Sequence, residues 1–141
     1  HHAELLLLDE ATSGLDPVMR DDVLDLLLDF VQSEKHGVLF STHIMSDLSK
    51  IADYIAFLHE GKLLFFKSKD ELIYRYGLIH CEEKLFREID HDDILAWRKQ
   101  EYEYQILVAD RETAARKYKD CVIDPATLDS IMLLNIRGKK V

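Results

Sequence analysis

Long apolar runs are missing from this chain of 141 residues. Nothing in it approaches the roughly 20 consecutive apolar residues of a membrane-spanning helix, so the sequence predicts a soluble chain. The longest run near the start, Leu5 to Leu8, has the length of a strand and not of a signal peptide. Positive charge is also scarce. Lys and Arg number 18 against 27 Asp and Glu, which leaves a formal net charge of −9. An acidic chain repels phosphate, which argues against a nucleic-acid surface and against broad contact with anionic lipid. The one basic cluster, Arg137, Lys139 and Lys140, reads as a solvated tail. Cysteine is limited to Cys81 and Cys121, which are far apart in the sequence and have no metal-type spacing. Free thiols are expected of them. There is no low-complexity linker and no internal repeat. There is no initiating Met, and the expectation is a fragment; His1 and His2 are uninformative, fitting either a tag remnant or a native end.

What is present falls into two textures. Residues 1–77 alternate apolar runs with helical patterns. Leu5 to Leu8 is continuous and apolar, as strands of buried parallel sheets are. Asp16-Pro17 opens a helix, since Asp caps well and Pro is tolerated at the first helical position. Met19, Val23, Leu26, Leu27, Phe30 and Val31 follow at helical spacing, and Gly37 is expected to end that helix. Val38 to Phe40 is a second strand and Ile44 to Ile51 a second helix. Tyr54 to Leu58 and Lys62 to Phe66 make a hairpin across Glu60-Gly61. Ser68 to Tyr76 reads as a helix that Gly77 closes. The alternation of strand and helix predicts a parallel α/β sheet.

Residues 78–141 read differently, as a small α+β unit. Strands are expected near 79–81, 94–98 and 102–108. Helices are expected near 83–88, 112–118 and 126–136, the last opened by Asp124-Pro125. The apolar residues of that last helix, and Trp97, Tyr102 and Tyr104, read as packing and sheet residues. No catalytic grouping is visible there.

The chemistry concentrates at the first strand. Leu5-Leu6-Leu7-Leu8-Asp9-Glu10 delivers two adjacent carboxylates to a strand's carboxyl end, where ligands bind in open α/β sheets. One carboxylate suits Mg²⁺, which keeps most of its waters and takes one or two protein oxygens. The other can address an attacking water. The run continues as LLLLDEATSGLDP, and Ser41-Thr42-His43 follows the next strand. In this order these segments resemble the ATP-binding-cassette (ABC) transporter ATPases. Leu5–Glu10 is similar to the family's Walker B strand, Ser13-Gly14-Leu15-Asp16 to its D-loop, and Ser41-Thr42-His43 to its switch-histidine segment. Asp47, Ala52-Asp53 and the stretch from Ile55 to Gly61 are similar to the family's closing helix and hairpin. Ala11 stands where many members have Pro, which the same turn accommodates.

The resemblance implies roles. Asp9 would hold Mg²⁺ through water, and Glu10 would polarise the attacking water. His43 would contact the γ-phosphate and link it to Glu10. Asp16 would cap its helix and cross a dimer interface, with Ser13 a weaker interface candidate. The implied cofactors are ATP and Mg²⁺. The implied partners are a membrane-spanning transporter subunit and a second ATPase subunit, at the cytoplasmic face of the cell membrane. The implied fold is the C-terminal half of a P-loop ATPase core over 1–77, followed by an accessory domain over 78–141. The stretch from Leu128 to Gly138 resembles tails of bacterial exporter-type members.

The chain contains no GxxxxGK[ST], no Q-loop and no LSGGQ. A triphosphate would lose its backbone N–H cradle, so this chain alone is expected not to hydrolyse ATP. Without the elements that cover Leu5–Leu8, exposed apolar surface predicts association, most simply a homodimer. Two other readings stand beside the transporter: a non-transport ABC ATPase, and a non-enzymatic interaction module that kept Asp9, Glu10 and His43 as structural leftovers.

Overall fold

A computed structural model describes residues 3–141; His1 and His2 lie outside the described residues. The chain forms two compact units, one ending at Ala52 and the other running from Asp53 to Val141. That division falls earlier than the change of sequence texture at residue 77.

In the first unit, β1 (Glu4–Asp9) and β2 (His36–Ser41) pair in parallel, with Leu6 opposite Val38 and Asp9 opposite Ser41. Between them runs α1 (Pro17–Phe30), whose cap is the expected one: Asp16 accepts from the Met19 N–H at 2.9 Å, and Pro17 stands at the first helical position. α1 buries Leu24 and Leu27, one turn apart on one face. α2 (Met45–Ile51) follows β2. Its Lys50 bridges Asp21 and Asp25 of α1, and those two carboxylates raise the Lys50 pKa.

Gly37 does not end α1. The helix stops at Phe30, with the Val31 N–H bonded to Asp29 and Leu27 carbonyls. The Phe30 ring then stacks on His36 at 4.2 Å, and His36 Nδ1 lies 2.8 Å from the Phe30 carbonyl. This fastening starts β2 at His36 and places Gly37 inside the strand.

In the second unit, β3 (Tyr54–His59) and β4 (Lys62–Ser68) form an antiparallel hairpin. Glu60 and Gly61 at the turn have φ of 49° and 73°, the paired left-handed geometry that suits a two-residue hairpin loop. The parallel sheet expected from the alternation therefore has two strands, because β3 pairs only with β4. The helix expected from Ser68 to Tyr76 runs over 69–75, its last five residues, Glu71–Arg75, being π-helical, and Ser68 Oγ caps it by accepting from the Glu71 N–H.

The rest is an antiparallel four-stranded sheet in the order β6-β7-β5-β8, formed by β5 (Gly77–Cys81), β6 (Ala96–Lys99), β7 (Tyr104–Val108) and β8 (Val122–Pro125). Its helices are α3 (Glu83–Phe86), α4 (Arg111–Lys117) and α5 (Leu128–Arg137). Ile79, Ile106, Val108, Ile94 and Ala114 make its core. Tyr104 and Trp97 are sheet residues packed on Phe86, whereas Tyr102 stands exposed before β7.

Two expectations fail here for identifiable reasons. Gly77 closes no helix but opens β5, and a Cβ there would lie 2.5 Å from Arg111 Cβ. Asp124-Pro125 opens no helix either. It ends β8, an edge strand, where the missing N–H of Pro leaves no ladder bond unmade. α5 instead starts from a capping box in which Thr127 Oγ1 accepts from the Ser130 N–H and Ser130 Oγ accepts from the Thr127 N–H. Its buried face is Leu128, Ile131 and Leu134.

Candidate functional site

The register of the parallel pair builds the site. β1 ends at Asp9 and β2 ends beside it at Ser41. Ser41 Oγ donates to Asp9 Oδ1, fixing one carboxylate oxygen and leaving the other. The Glu10 N–H donates to the Ser41 carbonyl at 3.0 Å, extending the ladder by one step. Glu10 then turns into the left-handed region at φ 50°, which takes its side chain out of the strand's alternation.

Two residues past Ser41, His43 closes the site. Its Nδ1 lies 2.9 Å from Glu10 Oε2. An ionised carboxylate only accepts, so the ring donates from Nδ1 and leaves Nε2 for another group. Thr42 supports this turn: its Oγ1 accepts from the Ile44 N–H at 3.0 Å. Both partners remain accessible, with 72% of the His43 side chain and 41% of the Glu10 side chain exposed. An exposed pair of this kind adds little to stability, so its value lies in what it presents.

Asp9, Glu10 and His43 are thus gathered at one strand end. Ser13 and Asp16 belong to the next turn and make no side-chain bond to the trio among the described residues. The Ser13 N–H donates to the Glu10 carbonyl at 3.0 Å, Gly14 follows at φ +77°, and the Asp16 carboxylate is committed to capping α1.

One element of the site was not legible beforehand. Thr12 Oγ1 donates to Asp47 Oδ2, and both residues are buried. Asp47 Oδ1 is buried with no hydrogen-bond partner among the described residues. This bond ties the turn after Glu10 to the helix after His43. Thr12 lies two residues past Glu10 and Asp47 four past His43, but neither position announces burial. Ser41 was seen only as part of its motif, and its grip on Asp9 follows from register.

Two adjacent carboxylates and an imidazole at one strand end form a donor set with the chemistry to meet a hydrated cation and to accept a proton from water. Among the described residues no group of three or more His, Cys, Asp and Glu side chains is placed to enclose a metal. A lone Asp9 oxygen therefore fits a cation that keeps most of its water shell.

Parts of the chain are similar to known proteins. The bacitracin transport ATP-binding protein BcrA of Bacillus licheniformis is 38% identical over 64 residues, which are 45% of this chain and 21% of that protein. The lantibiotic transport ATP-binding protein SrtF of Streptococcus pyogenes is 39% identical over 67 residues, 48% of this chain and 29% of that protein. The ABC transporter ATP-binding protein YtrB of Bacillus subtilis is 29% identical over 150 residues, 96% of this chain and 49% of that protein. The chain thus spans about a fifth to a half of the length of these relatives. Among solved structures, an inward-facing metal-chelate type ABC transporter is a looser likeness, at 26% identity over 74% of this chain and 39% of that one, with a TM-score of 0.45. No protein-family model matches the chain. Over the matched segments the chain is similar to the ATP-binding proteins of ABC transporters.

Proposed function

We propose that this chain is the C-terminal half of the ATP-hydrolysing subunit of a bacterial ABC transporter, in which ATP binding and hydrolysis are coupled to transport. The observation that carries this reading is the 2.9 Å contact between His43 Nδ1 and Glu10 Oε2 at the tip of β1. Glu10 polarises the attacking water. His43, oriented by Glu10, offers Nε2 toward the outermost phosphate. Asp9, held by Ser41, would hold a hydrated Mg²⁺ through its free oxygen. Bound Mg²⁺ supplies charge neutralisation as negative charge spreads over the phosphate oxygens. Such positioning is most of what phosphoryl transfer asks of a protein.

On this reading residues 1–77 are the ATPase core segment and 78–141 an accessory domain. The YtrB alignment supports the second part, since coverage of 96% of the chain must take in most of it. Ser13 and Asp16 face a second ATPase subunit, and the full protein sits at the inner face of the membrane against a membrane-spanning partner. Among the described residues no helix is long and apolar enough to cross a membrane. The exporter-type assignment rests on the stretch from Leu128 to Gly138.

The test uses the full-length parent. Glu10→Gln should keep ATP binding while turnover falls by roughly 10²–10⁴, the range of a lost general base. The isolated chain, lacking a phosphate loop, should release no phosphate that depends on Glu10. An unaffected phenotype of Glu10→Gln in the full-length protein would instead favour an interaction module.

A further inference from the structure

Cys81 and Cys121 carry no motif spacing, yet the fold brings them together. β5 and β8 run antiparallel, and their last register pair is His80 with Val122. Cys81 is the last residue of β5 and Cys121 immediately precedes β8, so carrying the register one step further sets the two cysteines against each other. Both are free thiols. Cys81 belongs to the core cluster of the second sheet, and Cys121 packs against that same cluster. The two thiols lie close enough for each to perturb the other's ionisation. Directly opposed residues on antiparallel strands hold their Cα atoms about 4.5–5.5 Å apart. A disulfide spans about 4.4–6.8 Å. Cys81 also lines an open hollow of about 840 Å³, together with His80, Tyr102 and Glu103. Cys121, half-buried just before β8, is the thiol that an oxidant meets from solvent.

We propose that Cys81 and Cys121 form an oxidisable dithiol, which a low-molecular-weight disulfide such as oxidised glutathione closes into a bond stapling β8 to β5. The Cys121 thiolate attacks one sulfur of the oxidant. A sulfur–sulfur bond forms to Cys121, and one glutathione thiolate leaves. The Cys81 thiolate then attacks Cys121 Sγ and displaces the second glutathione. Two protein thiols are oxidised, one oxidant disulfide is reduced to two thiols, and the two protons pass to the leaving groups. Cys121 attacks first because it is the more accessible of the two.

The pair is slow by construction. Burial pushes Cys81 up to about 12, with the neighbouring Cys121 and Glu103 adding to it. Burial also raises Cys121, as do Asp120 and Glu88, while the neighbouring Cys81 thiol opposes them. Exchange requires a thiolate, so closure accelerates as pH rises.

The test takes the reduced chain through glutathione buffers of rising oxidised-to-reduced ratio, followed by alkylation and peptide mapping without reductant. The expected result is that both thiols are lost together and one linked peptide joins Cys81 to Cys121. In Cys81→Ser, a stable glutathione adduct should accumulate on Cys121. The proposal fails if the unsubstituted chain keeps both thiols in fully oxidised buffer, stops at the adduct, or pairs Cys121 between chains. An unmodified Cys121 in Cys81→Ser overturns it equally.

Discussion

At the residue scale, the site depends on a bond that touches no substrate. Thr12 Oγ1 meets Asp47 Oδ2 in a buried position, and Asp47 Oδ1 already lacks a partner there. Thr12→Val keeps the shape of the side chain but removes the donor. Asp47 is then left buried with both oxygens unbonded. Stranding a buried polar group costs about 1–3 kcal/mol, and more when the group is charged. Urea unfolding of Thr12→Val should therefore show an unfolding free energy lower by that amount, seen as a lower midpoint with an unchanged slope. Thr12→Ser, which restores the hydroxyl, should recover most of it. If Thr12→Val unfolds at the original midpoint, the bond is dispensable and the turn after Glu10 is held by its backbone alone. Exposed Ser41 and His43 predict the opposite pattern: substituting them should leave stability nearly unchanged, because their bonds are made at the surface.

At the scale of elements, steric and electrostatic details of the second unit decide stability. Gly77 faces α4 so closely that a Cβ would lie 2.5 Å from Arg111 Cβ and 3.1 Å from its Cα. Backbone cannot retreat as a flexible side chain can. Gly77→Ala should destabilise by about 1–3 kcal/mol, the range of overpacked substitutions, measurable as a drop in thermal midpoint. Acid should act on the same unit. Asp93 is held below the usual carboxylate range by Lys117 and Tyr118, and Glu103 by His80. Glu83 is lowered by Arg87, and Asp110 by the Thr113 backbone N–H and Arg75. A carboxyl lowered on folding adds stability that is complete above its unfolded value, about 3.9–4.3. That stability is lost as pH falls through the folded value. The thermal midpoint should thus hold from neutrality to about pH 4 and fall below it, and Asp93→Asn should flatten part of the fall. These elements also show where sequence reading reaches its limit. Asp16 capping α1 and the Glu60-Gly61 turn are local events, and both were legible. β8 was not, because its four residues are short and end in Pro, and only pairing with β5 makes them a strand. The end of α1 was missed because a contact six residues along, Phe30 with His36, outranks the glycine signal at Gly37.

At the scale of the whole molecule, the same sequence feature that reveals the site creates a liability. Four leucines mark β1 as a strand made to be covered on both faces, and they deliver Asp9 and Glu10 to its end. The trio was legible because adjacency, strand end and a following histidine are all sequence properties, whereas its fixing by Ser41 and Thr12 depends on register and burial. Yet Leu5 is 64% exposed, Leu7 67%, and Leu39 of β2 66%. Among the described residues the sheet of β1 and β2 has two strands, so each also has an unpaired edge. Apolar faces and open edges favour self-association. The purified chain should therefore behave as a homodimer, with a light-scattering mass near twice 16.5 kDa at micromolar concentration. Leu7→Glu places a charge on that exposed face and should shift the mass toward the monomer without disturbing Asp9 or Glu10. A monomer at all accessible concentrations would mean that these leucines stay bare in water, and that association is not how this chain covers them.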